Sequence, residues 1–210
     1  MGYKGVSFNL LNLYKFKLEI FKVAKYKTTT IFLFSLSIIL LASCLPKASL
    51  TNKFECSKAS FSNLEKINDF KNFFTVYYPD KWKTNLYYDK NQSSIFTADT
   101  TKQLTETMLL DITHVSNKLT LDFDFISKIK KNLHTDDLVE TESSSLNFKD
   151  QKAYYFKAAG KKGKFDYNIF NLFIKINENN YIHSKIEVYG DSLINQRICN
   201  GIRLINKITY

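Results

Sequence analysis

The sequence predicts an α+β domain, an antiparallel β-sheet meander covered by two helices. Three observations predict it. Most of the chain after residue 72 alternates apolar and polar residues with period two, its segments are joined by connections short enough for hairpins, and two stretches break the pattern with helical spacing. Composition agrees. Aromatic residues are 15% of the 210, with 18 Phe and 13 Tyr, whereas 6 Gly and 2 Pro leave little material for Pro-rich linkers or Gly-rich phosphate loops. A collagen-like chain, a low-complexity tail and a multidomain enzyme are excluded.

Phe73 to Tyr78 is aromatic and β-branched and stops at Pro79-Asp80, because proline cannot continue a central strand. Short strands are expected at Asn85 to Tyr88 and Ser94 to Ala98. Thr107 to Val115 puts Met108, Leu110, Ile112 and His114 on one face and Thr107, Asp111 and Thr113 on the other. From Thr120 to His134 the period changes. Leu121, Phe125, Ile126, Ile129 and Leu133 fall at helical spacing, Thr120 is the expected cap, and Lys128, Lys130 and Lys131 suit the C-terminal end of the dipole. Four longer strands follow at Leu138 to Phe148, Lys152 to Ala159, Phe165 to Ile176 and Tyr181 to Tyr189. Their hairpin tips are Lys149 to Gln151, Gly160 to Gly163 and Asn177 to Asn180. A closing helix from Ser192 to Leu204, entered through Asp191, carries the stripe Ile194, Ile198, Ile202 and Ile205.

Ahead of this domain, Ile31 to Leu41 is an uncharged hydrophobic run, too short to cross about 30 Å of hydrocarbon, which takes about 20 apolar residues. Lys4, Lys15, Lys17, Lys22, Lys25 and Lys27 precede it against the single Glu19, as in an export signal. The stretch before the run is longer than such a leader needs, which points to translation starting downstream of Met1 at a codon other than AUG. Leu41-Ala42-Ser43-Cys44 resembles the lipobox of bacterial lipoproteins. That resemblance implies cleavage before Cys44 and attachment of acyl chains to it, and two or three chains hold a protein stably on a bilayer where one does not. The expected organisation is a signal peptide at 1–43, a lipidated cysteine and tether at 44–71 ending in a short helix through Leu64 and Ile67, and a folded domain at 72–210. Leu45 after the cysteine carries no retention charge, which points to an outer membrane facing the periplasm.

Within the domain, the run Phe-Thr-Val-Tyr-Tyr-Pro-Asp-Lys-Trp from Phe74 to Trp82 resembles the opening strand and turn of PsbP-like domains. The step from Asp150 through Ala153 and Tyr154 into a long meander, and the closing Ile-rich helix, follow the same pattern. The resemblance implies an αβα sandwich serving as a non-catalytic binding or assembly module, and no catalytic residue carries over.

The residues themselves present no reactive cluster. His114 lies on the apolar face of its strand, His183 shares a polar face with Lys185 and Glu187, and His134 ends a helix, so alternation puts His114 and His183 on opposite sides of a sheet. No HExxH, nucleophile elbow or Walker loop is present, and neither a metal nor a cofactor is called for. The formal charge of +10 invites a nucleic-acid partner, but removing the leader leaves 24 basic and 19 acidic residues, a net +5, and no RNA-recognition strand signature accompanies it. The lysines instead suit anionic lipid headgroups. With Cys44 claimed by lipid, Cys56 and Cys199 remain in an oxidising compartment. A disulfide between them is favoured and is worth at most about 5 kcal/mol by chain entropy, while Cys199 beside the apolar stripe also suits a buried free thiol.

The expected function is therefore that of a membrane-anchored envelope lipoprotein binding a protein partner or a small ligand without catalysis. The alternative is a hydrolase acting on envelope polymers. A deep pocket gathering His114 or His183 with carboxylates would favour the enzyme, and a shallow face of Tyr and Phe would favour binding.

Overall fold

Residues 50–56 and 61–210 are described by a computed structural model of the chain. The leader, the hydrophobic run and Cys44 lie outside the described residues. Much of the stretch expected to be a tether belongs to the fold. A short helix, α1 (Leu50–Lys53), buries Leu50 in the core, and Phe54 packs edge-on against Tyr155 and Phe170 at 5.0 and 5.4 Å. Cys56 and Cys199 are joined by a disulfide with Cα atoms 5.3 Å apart, which fixes this segment to the last helix.

The expected helix through Leu64 and Ile67 is instead a strand, β1 (Leu64–Asn68), paired antiparallel with β2 (Thr75–Pro79) from Leu64 opposite Pro79 to Asn68 opposite Thr75. The turn between them decides the outcome. Buried Asp69 accepts backbone N–H bonds from Lys71 (3.0 Å) and Phe74 (2.7 Å), and Asn72 takes the left-handed φ of 58° that asparagine tolerates. Tertiary pairing thus overrides a three-residue apolar spacing.

The main sheet has seven strands: β3 (Lys83–Tyr88), β4 (Gln92–Ala98), β5 (Leu109–Val115), β6 (Leu138–Phe148), β7 (Gln151–Lys162), β8 (Phe165–Lys175) and β9 (Tyr181–Tyr189). Their order is β3-β4-β5-β9-β8-β7-β6, and every neighbouring pair is antiparallel. Two meanders therefore meet at β5 and β9, because the connection after β5 passes through the helix α2 (Phe123–Thr135) to the far edge. Lys149 and Asp150 form a two-residue tip with φ of 48° and 68°, the positive values that match the twist of a tight hairpin. The expected tip at Gly160 to Gly163 lies further on. β7 runs through Lys162, and the turn falls at Gly163-Lys164. Gly160 is needed inside the strand, where a Cβ would sit 2.5 Å from the Asp137 carbonyl oxygen at the entry to β6.

One face of the sheet is covered by α1, the β1–β2 hairpin and the closing helix α3 (Ile194–Ile205), with Leu110, Ile112, Leu172, Ile182 and Ile186 among the fully buried residues there. α2 covers part of the other face through Ile129 and Leu133. Both helix entries differ from expectation. Asp122 rather than Thr120 caps α2, its carboxylate accepting from the Phe125 N–H at 3.0 Å. α3 starts after Leu193, which has a left-handed φ of 49° and makes no side-chain cap. Gly201 brings α3 against β9 so closely that a Cβ would meet the Ile186 side chain at 2.4 Å. Among the described residues no helix is long and apolar enough to cross a membrane.

Candidate functional site

A half-open cleft of about 520 Å³ lies on the α2 side of the sheet. Its roof follows from helical spacing: Ile129, Asn132, Leu133 and Asp136 fall three or four residues apart and line one side of α2. Its floor follows from strand register. Phe173 pairs with His183, which pairs with Thr113, and in the next row Phe156 pairs with Asn171, which pairs with Lys185. Cross-strand partners share a face, so α2 looks onto rings, an amide, an imidazole and an ammonium in one patch.

His183 is tightly held. Its ring stacks on Phe173 at 4.2 Å with the planes 4° apart, and its Nε2 lies 2.8 Å from Asn171 Oδ1. Burial, with Lys185 adding to it, pulls its pKa down to about 4. The ring is then neutral at pH 7, and since an amide oxygen only accepts, Nε2 carries the proton and donates it to Asn171. The amide nitrogen of Asn171 is buried and has no hydrogen-bond partner in the protein.

Beside the imidazole lies a charge network. Glu187 bridges Lys185 and Lys162, the latter at 4.0 Å. Burial works to raise the Glu187 carboxyl, but the bonds from Lys185 and Tyr189 and the charge of Lys162 hold it below its ordinary value. Asp111, one strand away, is raised by burial more than its 3.1 Å bond from Thr113 lowers it. Lys161 pairs with Asp166 at 2.9 Å. Charges around the cleft are therefore close to balanced.

The three histidines stay apart, as alternation predicts for His114 and His183. His114 is buried on the α3 side with its ring 4.3 Å from Phe73, and burial lowers its pKa against the pull of Asp69. His134 ends α2. Among the described residues no three His, Cys, Asp or Glu side chains form a set able to hold a metal. A second depression, near the disulfide, contains Glu142, already bonded to Tyr155 (2.6 Å) and Lys157 (2.9 Å). Both features that discriminate an enzyme from a binding module are partly present. The cleft holds His183, bonded to an amide and not to a carboxylate, and an aromatic rim stands at the β1–β2 turn, where Phe70 (55% exposed) stacks on Tyr88 (57% exposed) at 3.8 Å.

Sequence reasoning named His183 but passed over Asn171, the residue that fixes it. The available signal was an asparagine inside the apolar run Ile169-Phe170-Asn171-Leu172-Phe173, since a polar residue in a buried strand needs a partner or a use.

No protein-family model matches the sequence, and no curated protein matches it. Among solved structures, the cyanobacterial PsbP protein (CyanoP) of Synechocystis is similar over 73% of this chain and 96% of its own, with a TM-score of 0.52 and 10% identity. The Ran-binding protein Mog1p of Saccharomyces cerevisiae is similar over 70% of this chain and 95% of its own, with a TM-score of 0.49 and 7% identity. LpqN of Mycobacterium tuberculosis, involved in cell envelope biogenesis, is similar over 79% of this chain and 100% of its own, with a TM-score of 0.38 and 9% identity. At these identities the likeness concerns fold, and the chain has the α+β fold of the PsbP-like CyanoP.

Proposed function

We propose that the chain is an envelope lipoprotein, exported by residues 1–43 and held on the membrane by acyl chains on Cys44, whose domain binds a protein partner or small ligand without catalysing a reaction. The observation that carries the binding reading is the state of His183. Its donor nitrogen is bonded to an amide, its ring is clamped on Phe173, and its pKa of about 4 removes it from proton exchange near neutrality. A concave, mixed apolar and polar cleft built around a passive imidazole suits recognition. The charged leader and lipobox-like Cys44 support the anchorage.

Cells fed an alkyne-bearing fatty acid should label the wild-type chain and leave the Cys44→Ala variant unlabelled. Crosslinking and pull-down from intact envelopes should then recover a specific partner. An unlabelled wild-type chain would overturn the anchorage, and hydrolysis of an envelope polymer abolished by His183→Gln would overturn the non-catalytic reading.

A further inference from the structure

We propose that the cleft beneath α2 binds a small amphipathic ligand, an apolar chain or ring ending in a carbonyl or carboxylate oxygen, and that the Asn171 amide N–H bonds to that oxygen. This deepens the reading of the domain as a binding module and rests on it.

Asn171 is 3% exposed, and its two polar atoms have different fates. Oδ1 accepts the hydrogen bond from His183 Nε2–H, while Nδ2, with two hydrogens to donate, has no partner in the protein. Leaving a buried donor unmet is costly, and native structures rarely retain one without a use. Seven other described side chains also bury an unpartnered polar atom, among them Tyr78, Ser93, His114, Tyr154 and Ser184, but Asn171 is the one that lines the cleft.

The unmet atom also sets the ligand's chemistry. A donor requires an acceptor, so an ammonium headgroup is excluded and an oxygen is required. The apolar part of the ligand has Ile129 and Leu133 above it and Phe156, Ile169 and Phe173 below, in a volume of the size that small ligands occupy. The near balance of Lys162 and Lys185 against Glu187 and Asp136 admits both a neutral carbonyl and a single carboxylate. These share the acceptor chemistry and are separated by experiment.

Three water-soluble probes of one shape test the proposal: 4-phenylbutyrate, 4-phenylbutanamide and 4-phenylbutylammonium, titrated against the purified full chain by ligand-observed NMR. At least one of the two oxygen-bearing probes should bind saturably, and the ammonium probe should neither bind nor compete. Binding of the carboxylate alone assigns an anionic ligand and binding of the amide alone a neutral one. Asn171→Leu, close to asparagine in shape but without the donor and without the acceptor for His183, should weaken the binding probe about tenfold or more with the thermal melting curve retained. The proposal is overturned if neither oxygen-bearing probe binds, if the ammonium competes with them, or if Asn171→Leu binds as well as the wild type. The ammonium comparison uses the wild-type chain, so the test does not depend on the variant folding. Failure here leaves the binding-module reading to the envelope crosslinking, which does not use these probes.

Discussion

Replacing Arg197 with methionine should destabilise the domain more than any single change on its surface. Arg197 is 5% exposed on α3, and its guanidinium donates to the carbonyls of Thr107 (3.0 Å), Tyr189 (2.8 Å) and Ser192. One side chain thus ties together the loop before β5, the end of β9 and the entry to α3. That entry has no side-chain cap of its own. Methionine keeps the apolar stem and removes the donors. Each charge-assisted bond is worth about 1.5–3 kcal/mol, and partial rehydration of the freed carbonyls brings the net loss to about 3–5 kcal/mol, the range seen when one partner of a buried charged network is removed. At about 2–4 °C per kcal/mol for a domain of this size, the melting temperature should fall by roughly 6–20 °C. Lysine cannot span the three carbonyls with one ammonium, so Arg197→Lys should lose about half as much. Thermal unfolding followed by circular dichroism reads both variants. A methionine variant melting within about 3 °C of the wild type would refute the reasoning, because the three carbonyls would then have been satisfied without the guanidinium.

Gly201→Ala forces a methyl to within 2.4 Å of the Ile186 side chain and should cost about 1–3 kcal/mol despite alanine's better helix propensity. In an Ile186→Ala background, itself less stable because Ile186 is fully buried, the same Gly201→Ala change should cost less than in the wild type, and a stabilised Gly201→Ala would show the contact to be slack. Reducing the Cys56–Cys199 bond, which spans 143 residues, should remove up to about 5 kcal/mol and raise hydrogen exchange at Leu50 to Cys56 before it does so in the sheet. Equal protection with and without reductant would count against that order. For pH dependence, the folded pKa of His183 (about 4) lies below its ordinary 6.5, so the folded state binds fewer protons between these values. Its contribution to stability is full above pH 6.5 and declines as pH falls toward 4. Asp111, raised by burial, acts with the opposite sign, so the readout is a difference. Between pH 7 and pH 4.5 the urea midpoint of the wild type should drop further than that of His183→Gln, and parallel drops would contradict the assignment.

Long strands with short tips were legible because alternation and turn chemistry act locally. Tyr181 to Tyr189 was read with its observed bounds, and the stripe of Ile194, Ile198, Ile202 and Ile205 lies on the core-facing side of α3. What was not legible depends on distant atoms. β1 is specified by its pairing with β2 and by the buried carboxylate of Asp69, not by its own five residues. Gly160 reads as a turn residue until the Asp137 carbonyl is brought beside it. The cleft was harder still. Strand alternation put His183 on a polar face, but only the sheet order, which seats β8 beside β9, brings Asn171 and Phe173 to its ring.

The two longer helices grip the sheet unequally. α3 buries six residues, with its disulfide and Arg197 adding ties, whereas α2 buries only Ile129 and Leu133 over thirteen residues and leaves Phe123 in solvent. Free energies of local opening follow such differences, so α2 should detach and reseat many times for each opening of α3. On that ranking the α3 side should be the stiffer, and the side expected to open more readily carries the cleft. The cleft is already half-open, so lifting of α2 should widen it, and a molecule bound beneath the helix should in turn hold α2 down.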